Sequence, residues 1–298
     1  MSAKREFSGI GPDIRSWKMR KIDVSLITQK VAQMFERVNH VLSDDVSKAL
    51  KDACDKEESA LGRRVLSSLC ENMEIAEKEQ IPICQDTGMA VVFLEIGQEV
   101  ELFGGYLEDA VNEGVRKAYE EGYLRKSVVS DPLDRVNTKD NTPAIIHERI
   151  VKGDKIKITI SPKGFGSENM SKLYMLKPAQ GVEGVKDAVI ETVKAAGPNA
   201  CPPFVVGVGI GGDFEKAALM AKHALTREIG KHSEKEEVKA LEEELLSKIN
   251  SLNIGPAGLG GSTTALAVNI ETYPTHIAGL PVAVNMCCHV DRHAFAEI

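Results

Sequence analysis

No two of the six cysteines in this chain stand as a CxxC pair. That absence removes the compact zinc ribbons and fingers, whose ligands come in such pairs, so any metal site must gather cysteines distant in sequence. Long apolar runs are lacking too. None approaches the roughly 20 residues a membrane helix needs, and the start Met1-Ser2-Ala3-Lys4-Arg5-Glu6 leads into no signal-like apolar stretch. Positive charge is also scarce: with 37 basic against 44 acidic residues and a net charge of -7, the chain lacks the field that a phosphate backbone or an acidic membrane surface would draw on. Neither nucleic acid nor membrane is an expected partner, and the cytoplasm is the expected compartment. Thiols stay reduced there, so Cys54, Cys70, Cys84, Cys201, Cys287 and Cys288 read as thiols or metal ligands rather than a disulfide framework. Internal repeats and low-complexity linkers are missing as well.

What is present is enough apolar residue, 43% of 298, to bury a large core in one large domain or two modest ones. From Ile22 to about Gln80 the spacing predicts three helical stretches, broken near Leu42-Ser43-Asp44-Asp45 and near Glu58-Ser59, with Ser43 or Asp44 as an N-cap. Cys54 and Cys70 fall on the apolar stripes of these helices as small core residues. The texture changes at Ile81-Pro82. Strands are expected over Met89–Ile96, Lys155–Ile160, Phe204–Val208 and Leu280–Met286, with a further strand after Thr264. Helices are expected over Gly104–Gly122, Val182–Ala196, Asp213–Arg227 and around Val238–Leu252, the last with a solvated Lys/Glu face. The fold class is therefore mixed α/β (α+β). A helical region over about 22–80 precedes helices alternating with strands of a mixed sheet over about 81–298.

Three cysteine positions sit at strand or turn edges beside proline or glycine: Cys84 before Gln85-Asp86, Cys201 before Pro202-Pro203, and the pair Cys287-Cys288. Thiolates gathered over such separations select iron-sulfur clusters or zinc. Three ligands on a 4Fe-4S cube leave one iron free to act as a Lewis acid, whereas electron transfer prefers four. Neighbours on a strand face opposite ways, so one of Cys287 and Cys288 points to such a site, and periodicity does not choose between them. Gly207-Val208-Gly209-Ile210-Gly211-Gly212 matches GxGxxG between strand and helix. It makes an NAD-dependent oxidoreductase the rival reading, although no second strand with a terminal acid follows about 20 residues on. The loop Gly255–Thr264 resembles a phosphate cradle but lacks the P-loop lysine, and Lys163–Asn169 offers backbone N–H groups to a carboxylate. His276 and His289 are candidates for polar contacts at the site. The other five histidines have no compelling context.

Five motifs, Ile83-Cys84-Gln85-Asp86-Thr87-Gly88, Gly166-Ser167-Glu168-Asn169-Met170, Asn199-Ala200-Cys201-Pro202-Pro203, Gly255–Gly261 and Cys288-His289, together resemble the alpha subunit of the two-subunit class I (iron-sulfur) fumarate hydratase and tartrate dehydratase family. The resemblance runs from about Ile22 to the end. Residues 1–18 depart from it and are taken as an extension, with Met19 as the natural initiator and 19–298 as the hydro-lyase domain. The resemblance implies a 4Fe-4S cluster held by Cys84, Cys201 and Cys288, and so selects Cys288 of the adjacent pair. It implies Gln85, Arg125 and Gly166 at the substrate and catalytic roles for Asp86 and His276. It also implies a separate beta subunit, an alpha–alpha dimer within a heterotetramer, and a small dicarboxylate substrate. The Gly166–Asn169 loop resembles the fumarase branch, which favours reversible hydration of fumarate to malate over a tartrate or mesaconate reaction.

Overall fold

The computed structural model describes residues 19–298, so the expected extension over 1–18 lies outside the described residues. Three helices follow a short first strand: β1 (Arg20–Asp23), α1 (Val24–His40), α2 (Asp44–Lys56) and α3 (Ala60–Glu79). The helical region thus begins after Asp23 and not at Ile22. Asp23 caps α1 by accepting from the Ser25 amide at 2.9 Å, and Ser59 caps α3 by accepting from the Gly62 amide at 3.2 Å.

The remaining chain alternates as expected, with more strands than the sequence announces. In order come β2 (Met89–Gly97), β3 (Val100–Phe103), α4 (Leu107–Glu121), β4 (Ile145–Val151), β5 (Ile156–Lys163), the short α5 (Phe165–Glu168), β6 (Lys172–Leu176) and α6 (Gly181–Ala196). Then follow β7 (Phe204–Gly211), α7 (Phe214–Ala224), α8 (Glu236–Asn250), β8 (Ala265–Tyr273), β9 (Leu280–Cys287) and β10 (Ala294–Glu297). They form two four-stranded mixed sheets, ordered β10-β5-β2-β4 and β6-β9-β7-β8, beside a small parallel pair of β1 with β3.

Each sheet has its own core. Ile156, Ile158 and Ile160 of β5 are fully buried at alternate positions and pack with Val92 and Leu94 of β2 beneath Ile27, Val31 and Phe35 of α1 and Val111 and Val115 of α4. The second core joins Val206 and Val208 of β7 and Val284 and Met286 of β9 to Val189 and Val193 of α6 and Leu245 and Ile249 of α8. A third apolar cluster, built on Leu50, Leu66, Ile83 and Val290, joins α2 and α3 to the segments that precede β2 and follow β9.

The GxGxxG segment has a packing explanation. A Cβ on Gly207 would stand 2.2 Å from the Ala221 carbonyl oxygen, and one on Gly209 would stand 2.1 Å from that of Ala217. The glycines let α7 lie directly on β7. β7 also pairs antiparallel with β9, unlike the all-parallel neighbourhood of a dinucleotide fold.

Candidate active site

Four chain segments meet where the two sheets adjoin. The first is the turn Cys84–Gly88, which feeds β2. Asp86 shapes it: Oδ1 accepts from the Gly88 amide at 3.0 Å, and Oδ2 accepts from the Phe165 amide at 2.8 Å. Tyr119 donates its hydroxyl to the Thr87 and Gly88 carbonyls at 2.7 and 2.9 Å. Gly88 is required there, since its φ is +81° and a Cβ would fall 2.7 Å from the Lys163 backbone nitrogen. Thr87 Oγ1 accepts from the Arg125 amide at 2.9 Å and so ties Arg125 to the turn.

The second segment ends in Cys201, whose φ of +53° is a left-handed conformation uncommon for a non-glycine residue, here capping the short helical turn Gly197–Ala200 under outside constraint. That constraint comes from the third segment. Both the amide and the Nδ1 of His289 contact the Cys201 carbonyl oxygen, at 3.3 and 3.1 Å. Cys201 therefore adjoins Cys288, while Cys288 and Cys84 pack against the same apolar cluster of Ile83 and Val290. Burial raises the Cys201 thiol pKa, and the neighbouring Cys288 and Cys84 raise it further, so the three sulfurs share one electrostatic neighbourhood. The fourth segment is the loop opening α5, where Gly166 is exposed next to Asn199.

The adjacent pair divides as strand geometry requires. Cys287 is sealed among Val205, Leu225 and Ala267 on the sheet, whereas Cys288 is half-buried beside the other two thiols. The hydrogen bond between them raises the Cys287 thiol pKa and lowers that of Cys288 well below the ordinary value. Burial opposes the lowering at Cys288, and His289, Arg292 and Lys163 assist it. Among the described residues no three His, Cys, Asp or Glu side chains converge tightly enough to hold a single metal ion. A cube seats each thiolate on a different iron and so suits a wider spacing than one ion does.

Cys84, Gln85, Thr87 and Arg125 line an open hollow of about 450 Å³ together with Pro82 and Tyr123. Gln85 and Arg125 are exposed there, and Asp86 is half-buried behind them. His276 does not join this group within one protomer. It sits in the turn before β9, with Nδ1 accepting from the Ala278 amide at 3.2 Å, while Cys288 follows the other end of that strand. At about 3.3 Å per residue, the length of β9 puts roughly 25 Å between them.

Sequence reasoning passed over a set of charged residues beneath the thiols. Lys163 is 1% exposed. Its Nζ donates to Ser167 Oγ at 2.8 Å and pairs with Glu168 at 3.3 Å. Lys222 pairs with the same carboxylate, which also accepts from Asn285 at 2.9 Å. Burial alone would push the Glu168 carboxyl up, but the two lysines outweigh it and hold it below its ordinary value. Arg292 is 2% exposed and donates to Asn39 Oδ1 at 2.7 Å and to the Asp86 carbonyl at 2.9 Å. Asp291 and His293 flank it. Burial pushes the Asp291 carboxyl up to about 6, and neither ring nitrogen of His293 has a hydrogen-bond partner. The sequence signal for this group is slight: a charged triplet, Asp291-Arg292-His293, directly after an apolar strand.

The Gly255–Thr264 loop does cradle an anion, and the anion is the chain's own Glu57. The Glu57 carboxylate is 1% exposed and accepts from the amides of Ser59, Ser262 and Thr263 at 2.9, 2.8 and 2.8 Å. Burial pushes its carboxyl up, but these donors outweigh burial and bring the pKa down to about 2 from 4.5. A depressed folded-state pKa gives stability that is present above pH 4.5 and lost as pH falls toward 2. Glu57→Ala is expected to cost about 3 kcal/mol at neutral pH by leaving buried donors unpaired. Urea unfolding should also show the deficit shrinking between pH 4.5 and 2.

Comparison with known proteins agrees with this layout. The family model described as Fumarate hydratase (Fumerase) matches residues 28–297. A protein of Methanocaldococcus jannaschii named "Putative L(+)-tartrate dehydratase subunit alpha" is 46% identical over 280 residues, covering 91% of this chain and 97% of its own. The "L(+)-tartrate dehydratase subunit alpha" of Escherichia coli (strain K12) is 33% identical over 273 residues, covering 90% and 89%. With that match spanning both sheets and every segment of the thiol site, the chain belongs to the fumarate hydratase (Fumerase) family.

Proposed function

We propose that this hydro-lyase chain is the alpha subunit of an iron-sulfur enzyme that hydrates fumarate reversibly to malate, with Cys84, Cys201 and Cys288 holding a 4Fe-4S cluster. The observation that carries the reading is the meeting of three thiols from segments 117 and 87 residues apart beside an exposed arginine. The donor set fits the group. Cys287 is sealed in the sheet, and Cys54 and Cys70 lie with each other on α2 and α3, which leaves Cys84, Cys201 and Cys288 as the thiolates that would hold the cluster, with one corner open to substrate. When bound, the cluster would supply Lewis-acid polarisation of a hydroxyl.

The chain's own residues bind and orient. The Arg125 guanidinium forms a planar fork that meets a carboxylate with two parallel bonds. Gln85 offers an amide from the same wall of the hollow, and the exposed backbone at Gly166 lets a substrate oxygen approach closely. Asp86 is held by amides at both oxygens, which suits a positioning role better than that of a proton acceptor. His276 would reach a substrate only across an alpha–alpha contact.

Asp86→Asn, assayed at steady state with the beta subunit present, is expected to lower turnover by about tenfold through the loosened Phe165 loop. Loss of an acid–base group typically costs 10²–10⁴, and a drop of that size would return Asp86 to the proton-transfer step.

The names of the relatives favour a second reading, in which tartrate is the substrate. They also support a requirement for a beta chain, which would bring further groups to the open hollow. Anaerobic reconstitution of the chain with its cognate beta subunit, followed by assays with fumarate, mesaconate and L(+)-tartrate, tests the proposal. Brown colour and fumarate hydration are expected. A cluster-bearing complex that turns over tartrate alone would move the chain to the second reading, and a colourless preparation that binds NAD tightly would sink both.

A further inference from the structure

Arg125 stands on irregular backbone. It lies between α4 and β4, outside every helix and strand, with its side chain exposed in the hollow that Cys84 also lines. A carboxylate clamp so placed needs its position supplied by neighbours, because a misplacement of roughly 1 Å can cost about 10²-fold in rate. Two buried side chains supply it, and both belong to or reach the turn that carries Cys84. Thr87, 1% exposed, serves both backbone groups of Arg125 with one hydroxyl: Oγ1 accepts from the Arg125 amide at 2.9 Å and donates to the Arg125 carbonyl at 3.2 Å. Asn141, fully buried at a φ of +62°, holds the same stretch further along. Its Oδ1 accepts from the Ser127 amide at 2.8 Å, and its Nδ2 donates to the Gly88 carbonyl at 3.2 Å. On the other side Leu124 is sunk in the first core, with its amide on the Tyr119 carbonyl at 3.2 Å. The backbone before and after Arg125 is thus fastened, and the Thr87-Gly88 end of the Cys84 turn is what holds it.

We propose that Thr87 and Asn141 are positioning residues that set the Arg125 fork at a fixed reach from Cys84, so that the site takes a carboxylate at one defined distance from the reacting carbon. The Thr87 hydroxyl and the Asn141 amide are committed to backbone groups, so each acts through Arg125 and not on the substrate. A methyl in place of the Thr87 hydroxyl leaves the Arg125 amide and carbonyl without that partner and frees the segment. The inference rests on the reading of Arg125 as the carboxylate clamp.

The test uses the full chain, reconstituted with its cluster and the cognate beta subunit, carrying Thr87→Val, Thr87→Ser or Asn141→Gly, each with Arg125 in place and with Arg125→Met. Thr87→Val keeps the shape and removes both bonds, and Asn141→Gly keeps the left-handed backbone and removes the side-chain amide. Iron content, steady-state kinetics and amide hydrogen exchange of the metal-free chain are read for each. With Arg125 in place, Thr87→Val and Asn141→Gly are expected to lower kcat/KM about tenfold at unchanged iron content. Exchange is expected to quicken about tenfold at the Arg125 amide in Thr87→Val and at the Ser127 amide in Asn141→Gly. Thr87→Ser, which keeps the hydroxyl, is expected to stay within about twofold of wild type in both readouts. On the Arg125→Met background the same substitutions are expected to change kcat/KM by less than about twofold, since the group they position is gone. A merely structural role predicts equal losses on both backgrounds, and that result overturns the proposal. Wild-type kcat/KM in Thr87→Val and Asn141→Gly overturns it as well. Should Thr87→Val fail to fold, the Asn141→Gly cycle carries the same expectation and the same power to overturn. If Arg125→Met by itself keeps the wild-type kcat/KM, the clamp reading fails and takes this inference with it, whereas a loss in Arg125→Met with equal losses across the cycle overturns this inference alone.

Discussion

Replacing Cys84, Cys201 or Cys288 singly by serine is expected to reduce bound iron toward background after reconstitution and to cut hydration by roughly a thousandfold, the several kcal/mol that a Lewis-acid centre supplies. Serine is close to isosteric and keeps a polar atom at each position. Cys201 is exposed and Cys84 and Cys288 are half-buried, so the change should leave the fold intact. Cys287→Ser provides the contrast. Its sulfur is packed among Val205, Leu225 and Ala267, so a hydroxyl there is expected to cost about 1–2 kcal/mol of stability while iron content is retained. Iron analysis and urea unfolding of the four variants separate the outcomes. Full iron in Cys288→Ser with loss in Cys287→Ser would reverse the assignment within the pair.

Arg125→Met should leave cluster content and folding unchanged and lower kcat/KM by about 10³. Truncating one partner of a hydrogen-bonded charge pair costs 2–5 kcal/mol, and each 1.4 kcal/mol is tenfold. Folding is spared because the side chain is exposed and the tie to Thr87 runs through the backbone amide. Arg125→Lys keeps the charge but not the fork and is expected to recover only part of the loss. Steady-state kinetics of the reconstituted alpha–beta enzyme would show both. An unchanged KM and kcat in Arg125→Met would mean that the carboxylate is clamped elsewhere, most simply by the beta subunit.

Much of this arrangement is legible in the residues, for reasons that differ by element. The helices α1 to α3 and the strands β2, β5, β7 and β9 bury a face against a core, and burial imprints an apolar pattern. The five strands that sequence reading passed over, β1, β3, β4, β6 and β10, are edge strands or the two-stranded pair. An edge strand pairs on one side only, and neither Ile145–Val151 nor Ala294–Glu297 contains a fully buried residue, so burial imprints little apolar pattern on them. At the site, cysteine beside proline or glycine at a strand edge is a visible signal. Lys163 and Arg292 give little, because long basic side chains read as surface until folding covers them. His276 is a different case: chain order alone puts it before β9 and Cys288 after it, so the length of the strand between them separates the two.

The junction of the two sheets has a mechanical corollary. Cys84 hangs from the sheet containing β2, whereas Cys201 and Cys288 belong to the ends of β7 and β9 in the other sheet. Ties that span the seam include Lys163 of β5 on Glu168, which Asn285 of β9 also holds, and the Phe93 ring of β2 edge-on to His223 of α7. Sulfur-to-sulfur spacing is thus governed by how two rigid slabs register against each other, and a volume change far inside either slab can detune the trio without touching it.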